Sequence, residues 1–248
     1  ASNGKGHGIH SPFVFEVITK LLNDETHYPA YDTIEKLRHN LLHDKTSLTV
    51  EDFGAGSAMN KTNQRTVASI TKHAAKSKKL GQLLFRMVKE YQPQTILELG
   101  TSLGITTSYL ATANPNAKVI TIEGSKTISA IAFDNFKLLK LLNLKLIEGN
   151  FDQTLSSVIS QLSTIDFAFI DGNHRFTPTI QYFTSILTKI NNFSVIILDD
   201  IHWSKEMEEA WNYCKNHQSV TLSIDLFFIG ILFFRKEIRE KQHFVIRY

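Results

Sequence analysis

Between residues 95 and 198 five short apolar runs alternate with segments long enough for crossover helices, and no other feature restricts the fold as much. The runs are Thr95–Leu99, Val119–Ile122, Leu144–Ile147, Ile165–Ile170 and Val195–Leu198. Runs this short and this nearly continuously apolar suit strands covered on both faces, as in a parallel sheet between layers of helix. Segments 104–113, 125–142, 153–162, 177–190 and 204–216 supply those helices. Val220–Leu226 and Phe228–Phe234 then follow each other too closely for a crossover, and read as an antiparallel pair turning near Asp225–Phe228. The expectation is an α/β fold: a seven-stranded sheet, five strands parallel and closed by a C-terminal hairpin, flanked by helices.

Before residue 80 the rhythm differs. Phe13, Val14, Val17, Ile18, Leu21 and Leu22, then Ile34, Leu37, Leu41 and Leu42, recur at helical spacing around a Pro-bearing connection at His27–Tyr31. The chain of 248 residues is therefore expected to divide into an N-terminal helical cap or substrate lid (1–79) and the sheet domain (80–248). With 42% hydrophobic and 21% charged residues, disorder and low-complexity scaffolds are excluded. The 27 Lys and Arg exceed the 24 Asp and Glu by three, too small a surplus for a dedicated nucleic-acid binder. The single cysteine, Cys214, cannot form an intrachain disulfide, and fits a reducing cytoplasm. The longest uninterrupted apolar run, Leu226–Phe234, is well short of the ~20 residues of a membrane span, and neither a signal peptide nor membrane association is expected.

The first candidate site follows the first run. Ile96-Leu97-Glu98-Leu99-Gly100-Thr101-Ser102-Leu103-Gly104 reads as strand, glycine turn and helix start, which lets a ligand approach the backbone and meet free N–H groups. The glycine spacing lacks the middle glycine that brings a dinucleotide's pyrophosphate close, which disfavours an NAD-dependent oxidoreductase. Glu98 suits an ammonium or sulfonium group better than a phosphate. Glu123, 23 residues beyond Gly100 at the end of the second strand, stands where an acid meets the ribose hydroxyls of an adenosine cofactor. A plain strand-to-helix turn and a solvated strand end are the simpler alternatives, but the two features strengthen each other.

The second candidate site gathers two later strand ends. One run leads into Asp171-Gly172-Asn173-His174, the other into Asp199-Asp200-Ile201-His202-Trp203. Ligands of open parallel sheets bind at the carboxyl ends of strands, so three carboxylates and two histidines should share one rim. Helix capping accounts for one such Asp but poorly for three together. Clustered carboxylates repel unless a cation or shared proton is present, and hard oxygen ligands suit Mg²⁺, Ca²⁺ or Mn²⁺.

In order and spacing, LELGTSLGITT, TIEGS, IEGNF, FAFIDGNHRF and IILDDIHW resemble the class I S-adenosylmethionine-dependent methyltransferases over residues 80–234. The likeness is greatest to the cation-dependent O-methyltransferase branch of catechol and caffeoyl-CoA enzymes. It implies a Rossmann-like sheet, S-adenosyl-L-methionine as cofactor, and methyl transfer to a small-molecule hydroxyl. By the same resemblance Glu98, Gly100, Thr101, Ser102, Gly104, Glu123, Gly124, Asn150 and Asp171 belong to the cofactor site. Asp171, Asp199 and Asp200 would be metal ligands, although the catechol branch commonly has Asn at the last position. His174 stands where that branch has a lysine base, and as a neutral imidazole could accept a hydroxyl proton. With His174, Asp171 and His202 complete the catalytic set.

Other segments carry less. Gly6–Phe13 holds His7 and His10 among Gly and Pro and reads as a loop, and Val50–Ser57 echoes a glycine motif without the crossover context. Both are candidates to cover the strand ends and form the acceptor pocket. Lys72–Lys79 is basic and reads as a solvated helix face. Trp211 reads as core and Trp203 as a wall of the acceptor site. Methylation of an RNA base, as by tRNA enzymes, and a cofactor-binding module without catalysis remain the other functional readings. Homodimerisation through the C-terminal hairpin is left open.

Overall fold

The computed structural model describes residues 11–50 and 63–248; His7, His10 and the Glu51–Ser57 motif lie outside the described residues. The fold is α/β, with eight mostly parallel strands flanked by helices and one separate small hairpin. It divides into two compact units, Thr26–Thr154 and Leu155–Tyr248, the latter joined by the described residues up to Glu25. The chain enters this second unit through α1 (Pro12–Val17), which continues as a π-helical turn over Ile18–Leu22. Pro12 sits in its first turn, where the missing N–H costs nothing.

The unit Thr26–Thr154 opens with α2 (Pro29–His43), the antiparallel pair β1 (Ser47–Val50) and β2 (Asn63–Thr66), then α3 (Val67–Ala74) and α4 (Lys78–Tyr91). Its sheet strands are β3 (Thr95–Leu99), β4 (Lys118–Glu123) and β5 (Leu144–Glu148), parallel in that order and separated by α5 (Ile105–Ala113) and α6 (Lys126–Leu138). In β3, Ile96 to Leu99 are all buried, which is why no polar alternation marked it in sequence. α4 packs on α5 through Gly81, where a Cβ would lie 2.5 Å from the Tyr109 ring. Tyr109 donates its hydroxyl to Glu35 Oε1 at 2.7 Å, and burial followed by Glu35 pushes its phenol pKa up.

After α7 (Phe151–Ser160) the second unit builds β6 (Phe167–Ile170), α8 (Phe176–Leu187), β7 (Val195–Asp199), α9 (Lys205–Asn216), β8 (Leu222–Asp225) and β9 (Ile229–Phe233). β6 and β7 are parallel, and β9 returns antiparallel between β7 and β8. The expected hairpin is therefore present. Trp211 is core as expected: it lies over Gly230, where a Cβ would come within 2.5 Å of its ring. Phe13 meets Phe233 edge-on at 5.0 Å, anchoring α1 in the same unit.

The expected strand count of seven is corrected to eight. β10 (Gln242–Val245) pairs parallel with β8 at the sheet edge. Its side chains alternate between half-buried and exposed, so it never forms the continuous apolar run that identified the other strands.

Candidate functional site

In the first unit the glycine turn is built by backbone that side chains resist. Gly100 has φ +102°, Ser102 +49° and Gly104 +83°, so the chain leaves β3, doubles back and enters α5 within five residues. Gly100 and Thr101 donate their N–H groups to Ile122 O of the neighbouring strand, at 3.0 and 3.2 Å. Glu123 then braces the turn. Its Oε2 accepts the Ser102 N–H at 2.8 Å and its Oε1 the Ser125 N–H at 3.0 Å.

Glu98 is fully buried beneath the turn. Its Oε2 accepts hydroxyls from Thr107 and from Thr121, the latter at 2.6 Å, and Thr121 also contacts the Thr101 hydroxyl. Glu98 thus ties β3, β4 and α5 together under Gly100–Gly104. Gly124 lies between Glu123 and the helix start, where Ser125 caps α6. Asn150 caps α7: its Oδ1 accepts the Asp152 N–H at 2.9 Å.

In the second unit the acidic rim forms as the strand ends require. Asp171, His174 and Asp199 each place a ligand atom within 4.8 Å of the other two. His174 Nε2 lies 3.7 Å from Asp171 Oδ1 and 3.9 Å from Asp200 Oδ2. Asp199 is almost fully buried at the end of β7, whereas Asp171 and Asp200 are partly open. Asn173 (φ +63°) and Asp200 (φ +52°) adopt left-handed backbone beside these residues. Such non-glycine conformations cost of order 1–3 kcal/mol and persist only where surrounding contacts hold them. Asn173 is held by Tyr182 and Arg175, and Asp200 by its N–H bond to Phe228 O at 2.7 Å. The two carboxylates of Asp171 and Asp199 offer oxygen donors that fit a divalent cation, with the His174 imidazole beside them.

His202 is differently placed. Its Nε2 meets Asp225 Oδ2 at 2.8 Å, its Nδ1 meets Glu208 Oε1 at 3.4 Å, and its ring stacks on Phe227. Both ring nitrogens therefore have carboxylate partners, an arrangement that fixes the ring. Trp203 is 64% exposed, with its ring centre 5.8 Å from that of His174. Sequence reasoning placed Asp225 and Phe227 (φ +74°) in the β8–β9 turn but missed their contacts with His202. An acid at a strand end was the available sign, but its partner His202 is 23 residues away.

Residues 97–201 match the family model described as a methyltransferase domain. A tRNA (guanine-N(7)-)-methyltransferase of Mycoplasma mobile is 32% identical over 77 residues, which are 31% of this chain and 38% of that protein. The match thus spans well under half the length of that curated relative. Among solved structures, an SAH-bound methyltransferase from Podospora anserina superposes with a TM-score of 0.63 at 14% identity, covering 91% of this chain and 97% of its own. An O-methyltransferase from Bacillus cereus in complex with SAH gives 0.59 at 18% identity, covering 84% and 92%. The Streptomyces achromogenes O-methyltransferase of tomaymycin synthesis, in complex with SAM, gives 0.57 at 18% identity, covering 65% and 82%. Residues 97–201, which run from β3 past the acidic end of β7, are thus similar to a methyltransferase domain, and the fold that carries them is the one these methyltransferases share.

Proposed function

We propose that the chain is an S-adenosylmethionine-dependent O-methyltransferase acting on a hydroxyl of a small molecule in a reducing cytoplasm. The observation that carries this reading is the convergence of Asp171, His174 and Asp199 on one rim. The glycine turn braced by Glu123 supports the cofactor assignment. Further support comes from fold relatives whose structures contain SAM or SAH.

On this reading the Gly100–Gly104 turn receives the methionine part, Glu123 accepts from the ribose hydroxyls, and the Asn150 segment flanks the adenine. Methyl transfer from sulfonium is an in-line displacement, so alignment is the main task. The S–CH₃ bond breaks as the O–CH₃ bond forms, and the hydroxyl proton passes to His174 Nε2. Asp171 and Asp200, both within 4 Å of that nitrogen, steady the imidazolium. A divalent cation bound by Asp171 and Asp199, with Asp200 beside them, would supply Lewis acidity that lowers the acceptor hydroxyl's pKa. His202, held by Asp225 and Glu208, positions the rim.

Calorimetric titration of S-adenosylhomocysteine (SAH), with and without Mg²⁺, tests the reading. Binding at about micromolar Kd is expected, falling at least about tenfold in Glu123→Ala, a loss of roughly 1.4 kcal/mol. His174→Ala should keep SAH affinity and lose about 10²–10⁴-fold in kcat once an acceptor is found. Absence of SAH binding under both conditions would overturn the proposal.

A further inference from the structure

Charge in this chain is segregated. Residues 36–50 and 63–89 hold 10 of the 27 Lys and Arg residues but only Asp44 of the 24 Asp and Glu residues. The remainder of the chain carries 17 against 23. So small a total surplus conceals a strongly basic stretch inside an otherwise acidic protein, and such asymmetry points to a polyanionic partner.

The structure gathers that stretch within the unit Thr26–Thr154. α3 starts against the end of α2, where Val67 N–H donates to Thr46 O at 3.0 Å and Ala68 N–H to Asp44 O at 2.9 Å, and the two helices pack together. Their apolar residues Ile34, Leu37, Leu41, Val67 and Ile70 are buried. Lys36, His39, His43, Arg65, Lys72 and Lys78 remain exposed. The His39 and His43 rings lie 4.4 Å apart on the exposed side of α2. Asp44 accepts the Thr46 N–H at 2.8 Å, and of the acids on the helices themselves Glu35 pairs with Arg38 at 3.0 Å and Asp32 with His27 at 2.8 Å, with Glu90 at the far end of α4. A helix pair lying on lipid needs an apolar stripe beside its lysines. Leu42 is the only large apolar side chain exposed among the described residues of α2, α3 and α4.

We infer that the exposed basic residues of α2, β2, α3 and the start of α4 bind the phosphate backbone of a single-stranded nucleic acid. Lys36, Arg65, Lys72 and Lys78 take phosphates, and the two exposed imidazoles offer flat surfaces to unstacked bases. The inference does not depend on which hydroxyl is methylated, and SAH affinity measured on the same samples separates its failure from failure of the methyltransferase reading.

The test is fluorescence anisotropy with a labelled single-stranded RNA of about 20 nucleotides and the DNA of the same sequence, a length that covers a typical binding site. For about four neutralised phosphates, affinity should fall roughly 50-fold as salt rises from about 50 to 200 mM. Lys36→Glu, Lys72→Glu and Lys78→Glu together should weaken binding at least about tenfold and flatten the salt slope by about 0.7 for each lysine. Reversing the exposed Lys118, Lys140 and Lys145 elsewhere in the same unit should change affinity less than about twofold, because the total charge shifts equally but no phosphate contact is lost. RNA and DNA bound alike would assign the backbone alone; a preference for RNA would assign RNA as the natural source. No binding at low salt, or equal losses in the two triple variants, would overturn the inference. Tighter binding to phosphatidylserine vesicles than to either strand would overturn it in favour of a membrane. Should the first triple variant fail to fold, the salt dependence of the unaltered protein decides.

Discussion

Gly104 shows how one residue serves both the fold and the site. Its φ of +83° is open to glycine at no steric cost, and an added Cβ would lie 2.5 Å from Cε1 of the buried Phe136. Gly104→Ala should therefore destabilise the protein by about 1–3 kcal/mol, through left-handed backbone and overpacking together. Chemical denaturation checks this, and an unchanged midpoint would show that Phe136 gives way freely. The turn at Gly100 and Gly104 was legible in sequence because a local rule governs it: backbone at positive φ between a strand and a helix favours glycine. Glu98 stood out in sequence beside the turn, but its bracing contacts did not. Its hydroxyl donors, Thr107 and Thr121, stand 9 and 23 residues away, so only the packed sheet shows that it braces the turn from below. The same distance in sequence hid the contact of Asp225 with His202. His202 was identified from its place beside Asp199-Asp200, whereas the carboxylate that fixes its ring comes from another strand.

β3, β4, β6 and β7, whose residues are mostly buried, were found to within a few residues from their nearly continuous apolar runs, whereas β5, part-exposed and carrying Lys145, was found from Leu144, Leu146 and Ile147. β1, β2 and β10 escaped notice for the opposite reason. They are four-residue strands with exposed or alternating side chains, and their pairing is set by partners rather than by their own composition. Helix starts were clearer than strand edges. α9 follows the acidic strand end through Ser204, whose hydroxyl accepts the Met207 N–H at 3.2 Å and caps the helix. Glu206 on the same first turn accepts the Phe176 N–H at 2.9 Å, tying α9 to the start of α8 just beyond His174. Ser204→Ala should cost about 1 kcal/mol, and Ser204→Gly only a few tenths, because glycine is a tolerated cap. Thermal melts of the two variants check the ordering. Equal losses would mean that the hydroxyl bond is not what starts the helix.

For the whole molecule, the balance of charge makes stability depend on pH in two separate windows. His243 on β10 bonds Ser223 Oγ at 2.7 Å, and burial, then Lys215 and Lys241, hold its pKa below the ordinary histidine value. Burial and then Lys241 do the same to His217. Between the depressed folded value and the unfolded value of about 6.5, the unfolded chain binds more protons than the folded one. Their contribution is therefore complete above about pH 6.5, declines as pH falls toward the folded values, and levels off below them. Asp44 and Glu237 act later. Hydrogen bonds lower both carboxyls, from Thr46 for Asp44 and from backbone and Arg235 for Glu237. Their stabilisation is complete above the ordinary carboxyl range near pH 4 and fades as pH drops through the lowered values. Melting temperatures recorded from about pH 7.5 down to 5 should thus fall before the carboxylates contribute, since only the histidine window lies in that range. His243→Gln, which keeps a hydrogen-bonding side chain beside Ser223 but binds no proton, should flatten that fall. If the variant loses stability over this range as steeply as the unaltered protein, the acid sensitivity originates elsewhere and the β8–β10 edge is not its source.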